Sequence, residues 1–374
     1  MESDKQPIAV IINGGVATGQ FSEGDAVITQ LLCQIAATYP LTVFSLVKVN
    51  SRKEFPFQMV DIPFHHLQNA WLRLFWLYFT VLRHHWVRPF RLFHGLGGFP
   101  AGFLAVILGK ILRRKSLVTL LGGEYINLPN IGYGLWKNWH LRPVLTYTLH
   151  RSDELVILTA TAAAQIQATL PHQKKYHKIP LGIDTSLFVP LFKKLRSPYQ
   201  FLHVADLNFV KNQPMLLQTF QLISQQVPAH LTIIGTDTLG GKIQQLANDL
   251  GISHKITFLP RISHYYLPPY YAQAHILLHT SFSESQTVAV NEALACGTVV
   301  CGTNVGLLAD LKEEITLVVP VGDVEGLAEK VLHLLRNPEL YEARRTKGIA
   351  WSTAHNLVAQ SEKYTTLYQR MLTA

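Results

Sequence analysis

Two carboxylates and one ammonium carry most of the chemistry this sequence can perform. In SESQTVAVNEALACG, Ser283–Gly297, Glu284 and Glu292 stand eight positions apart, and Lys211 lies upstream in DLNFVKNQ. The run HILLHT before them, His275–Thr280, reads as a strand, and a helix is expected from near Thr287. Glu284 then sits in the loop at the strand's carboxyl end, and Glu292 about one and a half turns into the helix. The backbone N–H groups of Thr287 and Val288 are among the unpaired donors of a helix start, where the dipole favours a diphosphate. A carboxylate in the helix can accept from two vicinal hydroxyls, such as those of ribose. One in the loop can hold a sugar hydroxyl or stabilise positive charge on an anomeric carbon. Lys211 follows a strand and a short turn, which aims its ammonium where a pyrophosphate would lie. Outside this context, each of the three would read as an ordinary surface charge.

Metal and thiol chemistry find less support. The 17 histidines form no helical metal motif. Cys33, Cys296 and Cys301 cannot all pair and lack metal-ligand spacing, so reduced buried thiols are expected. Gly14-Gly15 after the first strand would let backbone approach a diphosphate closely, but the pattern of three spaced glycines expected of a dinucleotide enzyme is not met cleanly.

Short apolar runs alternating with longer amphipathic segments must position these groups. The expected strands of the first half are Ile8–Gly14, Leu41–Leu46, Arg91–Leu96, Ser116–Leu121 and Glu154–Thr159. Those of the second half are Phe201–Asp206, Leu231–Gly235, Ile256–Pro260, His275–Thr280, Thr298–Thr303 and Thr316–Pro320. Continuous apolar strands between helices read as parallel sheets covered on both faces, hence an α/β protein with two Rossmann-like lobes. The proline-rich, basic stretch Val189–Gln200 separates them, giving expected domains 1–190 and 191–355. A final helix, 356–374, carries apolar residues at helical spacing and is expected to pack back towards the first domain.

The second lobe resembles the family 4 glycosyltransferases of the GT-B fold. The likeness rests on HVADLNFVKNQPMLLQTF, LTIIGTDTLGGKIQQLANDLGI, KITFLPRISHYYLPPYYAQAHILLHTSFSES and NEALACGTVVCGTNVG. The first lobe matches more loosely, through Gly14-Gly15, the GGE of Gly122–Glu124 and IPLGIDTSLFVP. The resemblance implies two Rossmann-like domains facing each other across a cleft, with acceptor bound by the first and donor by the second. It implies retaining transfer of a sugar from a nucleotide-diphosphate sugar, UDP- or GDP-linked, to a hydroxyl of a glycan or lipid-linked acceptor in polysaccharide or cell-envelope synthesis. Glu284 would contact the donor sugar near the reacting carbon and Glu292 the ribose. Lys211, Gly14, Gly15, Thr287 and Val288 would serve the phosphates, Gly122 would belong to the donor-binding site, and main chain near Pro260 and Arg261 would border the base. No bound metal or cofactor is implied.

Three departures touch this site. Asp206 stands where the family usually has an arginine five positions before the lysine, Leu121 where it often has histidine before Gly-Gly, and Ser285-Gln286-Thr287 where it often reads Gly-Phe-Gly. They keep open a second reading, a catalytically silent sugar-nucleotide or glycan-binding protein on the same scaffold.

Charge is uneven. The net formal charge is +9, and residues 1–190 hold 18 Lys and Arg against 10 Asp and Glu, whereas residues 191–374 hold 15 against 14. A basic first half suits an anionic partner. Nucleic acid is not indicated, because no stacking module or recognition helix is evident. Trp71–Arg91 and Gly109–Lys115 mix aromatic, aliphatic and basic residues in a composition suited to an anionic membrane surface. The first of these is also apolar almost all round, which favours a core helix. The longest apolar stretches, Trp71–Leu82 and Phe99–Gly109, fall short of the roughly 18 uninterrupted residues of a membrane span, and the polar start MESDKQPIAV lacks a secretory leader's pattern. A cytoplasmic protein, peripheral on the inner face of the membrane, is expected.

Overall fold

The computed structural model describes residues 6–14, 26–47, 55–61, 70–170, 175–312 and 314–373. The chain divides into two compact units, Met1–Gly182 with Leu357–Ala374, and Ile183–Asn356.

Among the described residues, unit one is built on seven strands: β1 Ile8–Ile12, β2 Leu41–Ser45, β3 Gln58–Asp61, β4 Leu92–Leu96, β5 Lys115–Leu120, β6 Glu154–Ile157 and β7 His177–Lys178. All pairings are parallel, in the order β3-β2-β1-β4-β5-β6-β7. Every residue of β1, β2 and β4 is buried, which is why those strands read as unbroken apolar runs. The crossovers carry helices α1 Ala26–Ala36, α2 Ala70–Val87, α3 Phe103–Ile111, α4 Arg142–Arg151 and α5 Ala160–Thr169.

Unit two has six parallel strands, β8 Tyr199–Val204, β9 Ala229–Ile234, β10 Ile256–Leu259, β11 Ile276–His279, β12 Val299–Thr303 and β13 Leu317–Val319, in the order β10-β9-β8-β11-β12-β13. Its helices are α6 Gln213–Gln226, α7 Lys242–Asp249, α8 Pro268–Gln273, α9 Val288–Ala295, α10 Gly306–Asp310, α11 Val324–Arg336 and α12 Pro338–Ala354. Apolar residues cover both sheet faces, one with Phe201, Leu231 and Ile276 against α6 and α11, the other with Leu202, Leu277 and Val300 against α8 and α9. The strand order reverses between β8 and β11. In an open parallel sheet such a switch point opens a crevice beyond the carboxyl ends of the two strands.

The last helix, α13 Leu357–Thr373, packs on α1 and β4 of unit one. Its buried Tyr364 and Tyr368 reach the sheet: the Tyr368 hydroxyl lies 2.6 Å from His94 Nδ1, and Thr119 Oγ1 lies 2.8 Å from His94 Nε2 and 3.1 Å from the Tyr364 hydroxyl.

The expectation that Trp71–Arg91 is core all round holds for one side only. In α2, Leu74, Leu77 and Val81 pack with Leu104, Ala105 and Leu108 of α3 against the sheet. Phe75, Phe79 and Trp86 on the other side are 53%, 45% and 80% exposed. The reason is geometric, since a helix lying on one face of a sheet has a neighbour along only part of its circumference.

Candidate functional site

The residues with chemical potential gather at the switch point of unit two. β8 ends in Val204 and leads through a short turn to Lys211, where Asn208 Oδ1 accepts the Lys211 N–H at 3.2 Å. β11 ends in His279 and leads to Glu284. Two sets of bonds lace these loops together. Thr280 Oγ1 donates to the carbonyls of Lys211 and Asn212, each at 3.1 Å, and Phe282 N–H donates to Val210 O at 2.8 Å. Close packing needs a glycine: Gly306 has φ +50°, and a Cβ there would come within 2.9 Å of both Glu284 Cβ and Ser285 O.

One carboxylate oxygen concentrates the contacts. Glu284 Oε1 accepts from Lys211 Nζ at 2.5 Å and from Ser281 Oγ at 2.7 Å, and His279 Nε2 lies 3.2 Å away. The ammonium and carboxylate side chains are only 19% and 12% exposed, so water screens this pair far less than a surface ion pair. Burial pushes the Glu284 carboxyl up, but the Lys211 charge and the His279 hydrogen bond outweigh it and hold the group well below the usual carboxylate range. Glu284 is therefore an anion, and among the described residues its partners gather on Oε1 and leave Oε2 available. Behind it, His203 stacks on His279 at 6.4 Å and binds the Leu278 carbonyl through Nδ1, while burial pulls its imidazolium down to about 3.

Glu292 lies on α9 and is held by different partners. Tyr271 of α8 donates its hydroxyl to Oε2 at 2.5 Å, and His264 Nδ1 lies 2.9 Å from Oε1. Burial, and then the neighbouring Glu292, push the Tyr271 phenol far above its ordinary value, so it remains a donor. Glu292 is 3% exposed, yet each carboxylate oxygen has two acceptor sites, so one remains on each. Among the described residues, His264 Nε2 is buried without a hydrogen-bond partner, and its ring lies 4.9 Å from Phe188.

The other expected residues fall as follows. Thr287 is buried at the start of α9, where no side chain caps the helix, and Val288 is its first residue. Arg261 is exposed beyond β10. Asp206 Oδ1 accepts the Thr236 N–H at 2.9 Å, tying the end of β8 to the loop after β9; the residue in the arginine position is thus a loop fastener. In unit one, Gly14 borders open space, for a Cβ there would meet nothing within 4 Å. Gly122 N–H donates to Glu124 Oε2 at 2.7 Å, while Glu124 Oε1 accepts from Gly98 and Leu121 at 3.0 and 3.2 Å. The Gly122 amide is thereby engaged by its own loop. Gly15 lies outside the described residues.

Sequence spacing did not disclose His279, Ser281, Tyr271 or His264. His279 and Ser281 had a usable signal, as polar residues at the carboxyl end of a buried strand three to five positions before Glu284. Tyr271 and His264 had none, because their approach to Glu292 depends on how α8 packs on α9. Among the described residues, no group of three or more His, Cys, Asp or Glu is arranged to hold a metal ion.

The geometry agrees with the comparisons to known proteins. Residues 191–351 match the family described as glycosyl transferases group 1. The chain is 27% identical over 276 residues to N-acetyl-alpha-D-glucosaminyl L-malate synthase of Bacillus anthracis, which covers 69% of each chain. Its fold is similar to that of sucrose-phosphate synthase from Thermosynechococcus elongatus, with a TM-score of 0.82 and 20% identity over 98% of this chain and 99% of that one. It is also similar to Anabaena HepE in complex with UDP-glucose, with a TM-score of 0.77 and 15% identity over 97% and 99% of the chains. The chain therefore carries a glycosyl transferases group 1 domain over residues 191–351, in the two-sheet fold of the GT-B enzymes, and is a glycosyltransferase.

Proposed function

We propose that this chain is a retaining glycosyltransferase of the family 4 type. It would move a sugar from a UDP- or GDP-sugar to a hydroxyl of a glycan or lipid-linked acceptor, in cytoplasmic synthesis of a polysaccharide or cell-envelope glycan. The observation that carries the reading is the Lys211–Glu284 pair at the switch point of unit two, beside the uncapped start of α9. Binding of UDP-glucose by HepE, a structure of the same fold, supports a nucleotide-sugar donor.

In this reading the diphosphate lies against the N–H groups at Thr287 and Val288, with Lys211 offsetting the charge that grows on the leaving phosphate. Glu284, kept anionic, faces the anomeric carbon or an adjacent hydroxyl. Glu292, oriented by Tyr271 and His264, accepts from the ribose hydroxyls. The acceptor attacks on the face from which the phosphate departs, and a phosphate oxygen takes the hydroxyl proton, so the C–O bond to phosphate breaks as the new glycosidic bond forms and configuration is kept. The protein's contribution is position and fixed charge.

Turnover of radiolabelled nucleotide sugars, with the anomeric proton of the product read by NMR, tests the reaction. Glu284→Ala is expected to lower kcat by about 100-fold or more while donor still binds. Transfer at the unaltered rate removes Glu284 from the mechanism, and an inverted product removes the retaining assignment. A thermal-shift screen of UDP-, GDP-, ADP- and CMP-sugars names the nucleotide, because a ligand bound only by the native state raises its stability.

A further inference from the structure

The outer face of α2 carries side chains that a water-facing helix does not need. Phe75, Phe79 and Trp86 recur at helical spacing on one side of the helix and are 53%, 45% and 80% exposed, and Val87 beside them is 85% exposed. Phe75 and Phe79 meet edge to face with ring centroids 4.6 Å apart, which joins them into one apolar ridge. The opposite side, Leu74, Leu77 and Val81, is fully engaged with the core, so the outward aromatics are not spare packing residues. Isolated exposed apolar residues need no explanation, but a contiguous aromatic stripe marks an interaction surface.

Charge identifies the partner. Between Asp61 and Glu124 the chain contains no acidic residue and eight Lys and Arg. Arg83 is exposed on α2, with Arg88 and Arg91 exposed just beyond its end. Arg114, which follows α3, lies close enough to the C-terminal end of α2 to help burial lower the His85 pKa. Lys110 and Arg113 flank the exposed Ile111 on the same α3 terminus. Lys110 also pairs with Asp153 at 3.5 Å, but the stretch itself contributes no acid, and a ridge of Trp and Phe edged by arginine and lysine is the composition of a helix that lies in the headgroup region of an anionic bilayer. Among the described residues no helix is long and apolar enough to cross a membrane.

We propose that the α2 face inserts into the outer layer of an anionic lipid surface, with Phe75, Phe79 and Trp86 as the immersed side chains and the basic residues paired with lipid phosphates. This deepens the reading of a lipid-linked acceptor, but it stands on unit one alone and is tested without turnover.

The experiment is flotation of the whole chain with vesicles of phosphatidylcholine alone, or of phosphatidylcholine mixed with phosphatidylglycerol, at low salt and at about 1 M salt, where the Debye length is roughly 3 Å. Wild type is expected to float with the anionic vesicles at low salt and to retain part of that binding at high salt, because the apolar component is unscreened. The triple variant Phe75→Ser, Phe79→Ser, Trp86→Ser is expected to bind at least about tenfold more weakly, the loss that partial immersion of three aromatic side chains predicts. Its circular dichroism and its donor-induced thermal shift should match wild type, since all three positions are outside the core. Failure of wild type to float on anionic vesicles overturns the proposal, as does unchanged flotation of the variant. A wild-type dimer that the variant converts to monomer, without vesicle binding by either, overturns it in favour of a second copy of this chain. Loss of transfer in Glu284→Ala with flotation intact separates the two readings.

Discussion

At the scale of single residues, the site depends on opposition between burial and charge. Burial alone would push Glu284 up from its ordinary value of 4.5, and the Lys211 ammonium reverses the outcome. A carboxylate whose folded pKa is depressed contributes stability above its unfolded pKa and loses it only as pH falls through the lower folded value. The wild-type enzyme should therefore show no acid limb from Glu284 above about pH 4.5, the ordinary carboxylate value. In Lys211→Met, desolvation is left unopposed by the ammonium, so an acid limb should move into the measurable range and kcat should drop by about 100-fold. A pH–rate profile of the variant that overlays wild type would show that the pair does not control the carboxylate.

Glu292 offers a second residue-scale test. Tyr271→Phe keeps the ring in its packed place and removes one short hydrogen bond to the carboxylate. Donor affinity is expected to weaken by roughly tenfold, the order of one charge-assisted hydrogen bond, with little change in kcat. Calorimetric titration with nucleoside diphosphate measures it, and an unchanged Kd would leave Tyr271 a packing residue. The two glutamates and the lysine were legible in the sequence because a helix following a parallel strand fixes where each one goes. Their partners were not, since Tyr271 and His264 meet Glu292 only through packing of α8 on α9. Asp206 was legible as a departure but not as a fastener of the β9 loop, because a backbone N–H acceptor leaves no spacing signal.

At the scale of elements, eleven strands announced themselves as apolar runs, whereas β3 and β7 did not. Those two lie at the edges of the first sheet and contribute polar residues such as Gln58, Asp61, His177 and Lys178, so burial on both faces imposes no apolar run on them. Helix α13 shows what an element gains from a buried polar network. Burial pulls the His94 imidazolium from 6.5 down to about 3, so the ring is neutral where it binds Thr119 and Tyr368. The unfolded chain takes up a proton below pH 6.5 that the folded state refuses, so stability falls as pH drops from that value towards 3. His203 in unit two, pulled down to about 3 by burial, adds a loss of the same sign over the same window. Urea unfolding at pH 7 and pH 5, above and within the window those two values define, should show a lower midpoint in acid, and a midpoint independent of pH would mean that the buried rings accept protons.

At the scale of the whole molecule, two units with separate cores are expected to report ligands separately. A nucleoside diphosphate at about 100 times its Kd adds roughly 2.7 kcal/mol to whatever binds it. Hydrogen exchange with UDP or GDP present is expected to slow around β8, β11 and α9 of unit two, while the interior of β1 and β2 in unit one keeps its rate. Equal protection of both sheets would show that the units open as one.

The path of the chain also sets an order of assembly. Unit two is continuous from Ile183 to Asn356, but unit one takes its last helix from residues 357–373. On a ribosome the second unit can emerge complete while the first still lacks the tyrosines that cover His94 and Thr119. The half translated first is thus the half finished last, and until α13 arrives its β4 and β5 surface stands open to any holding chaperone.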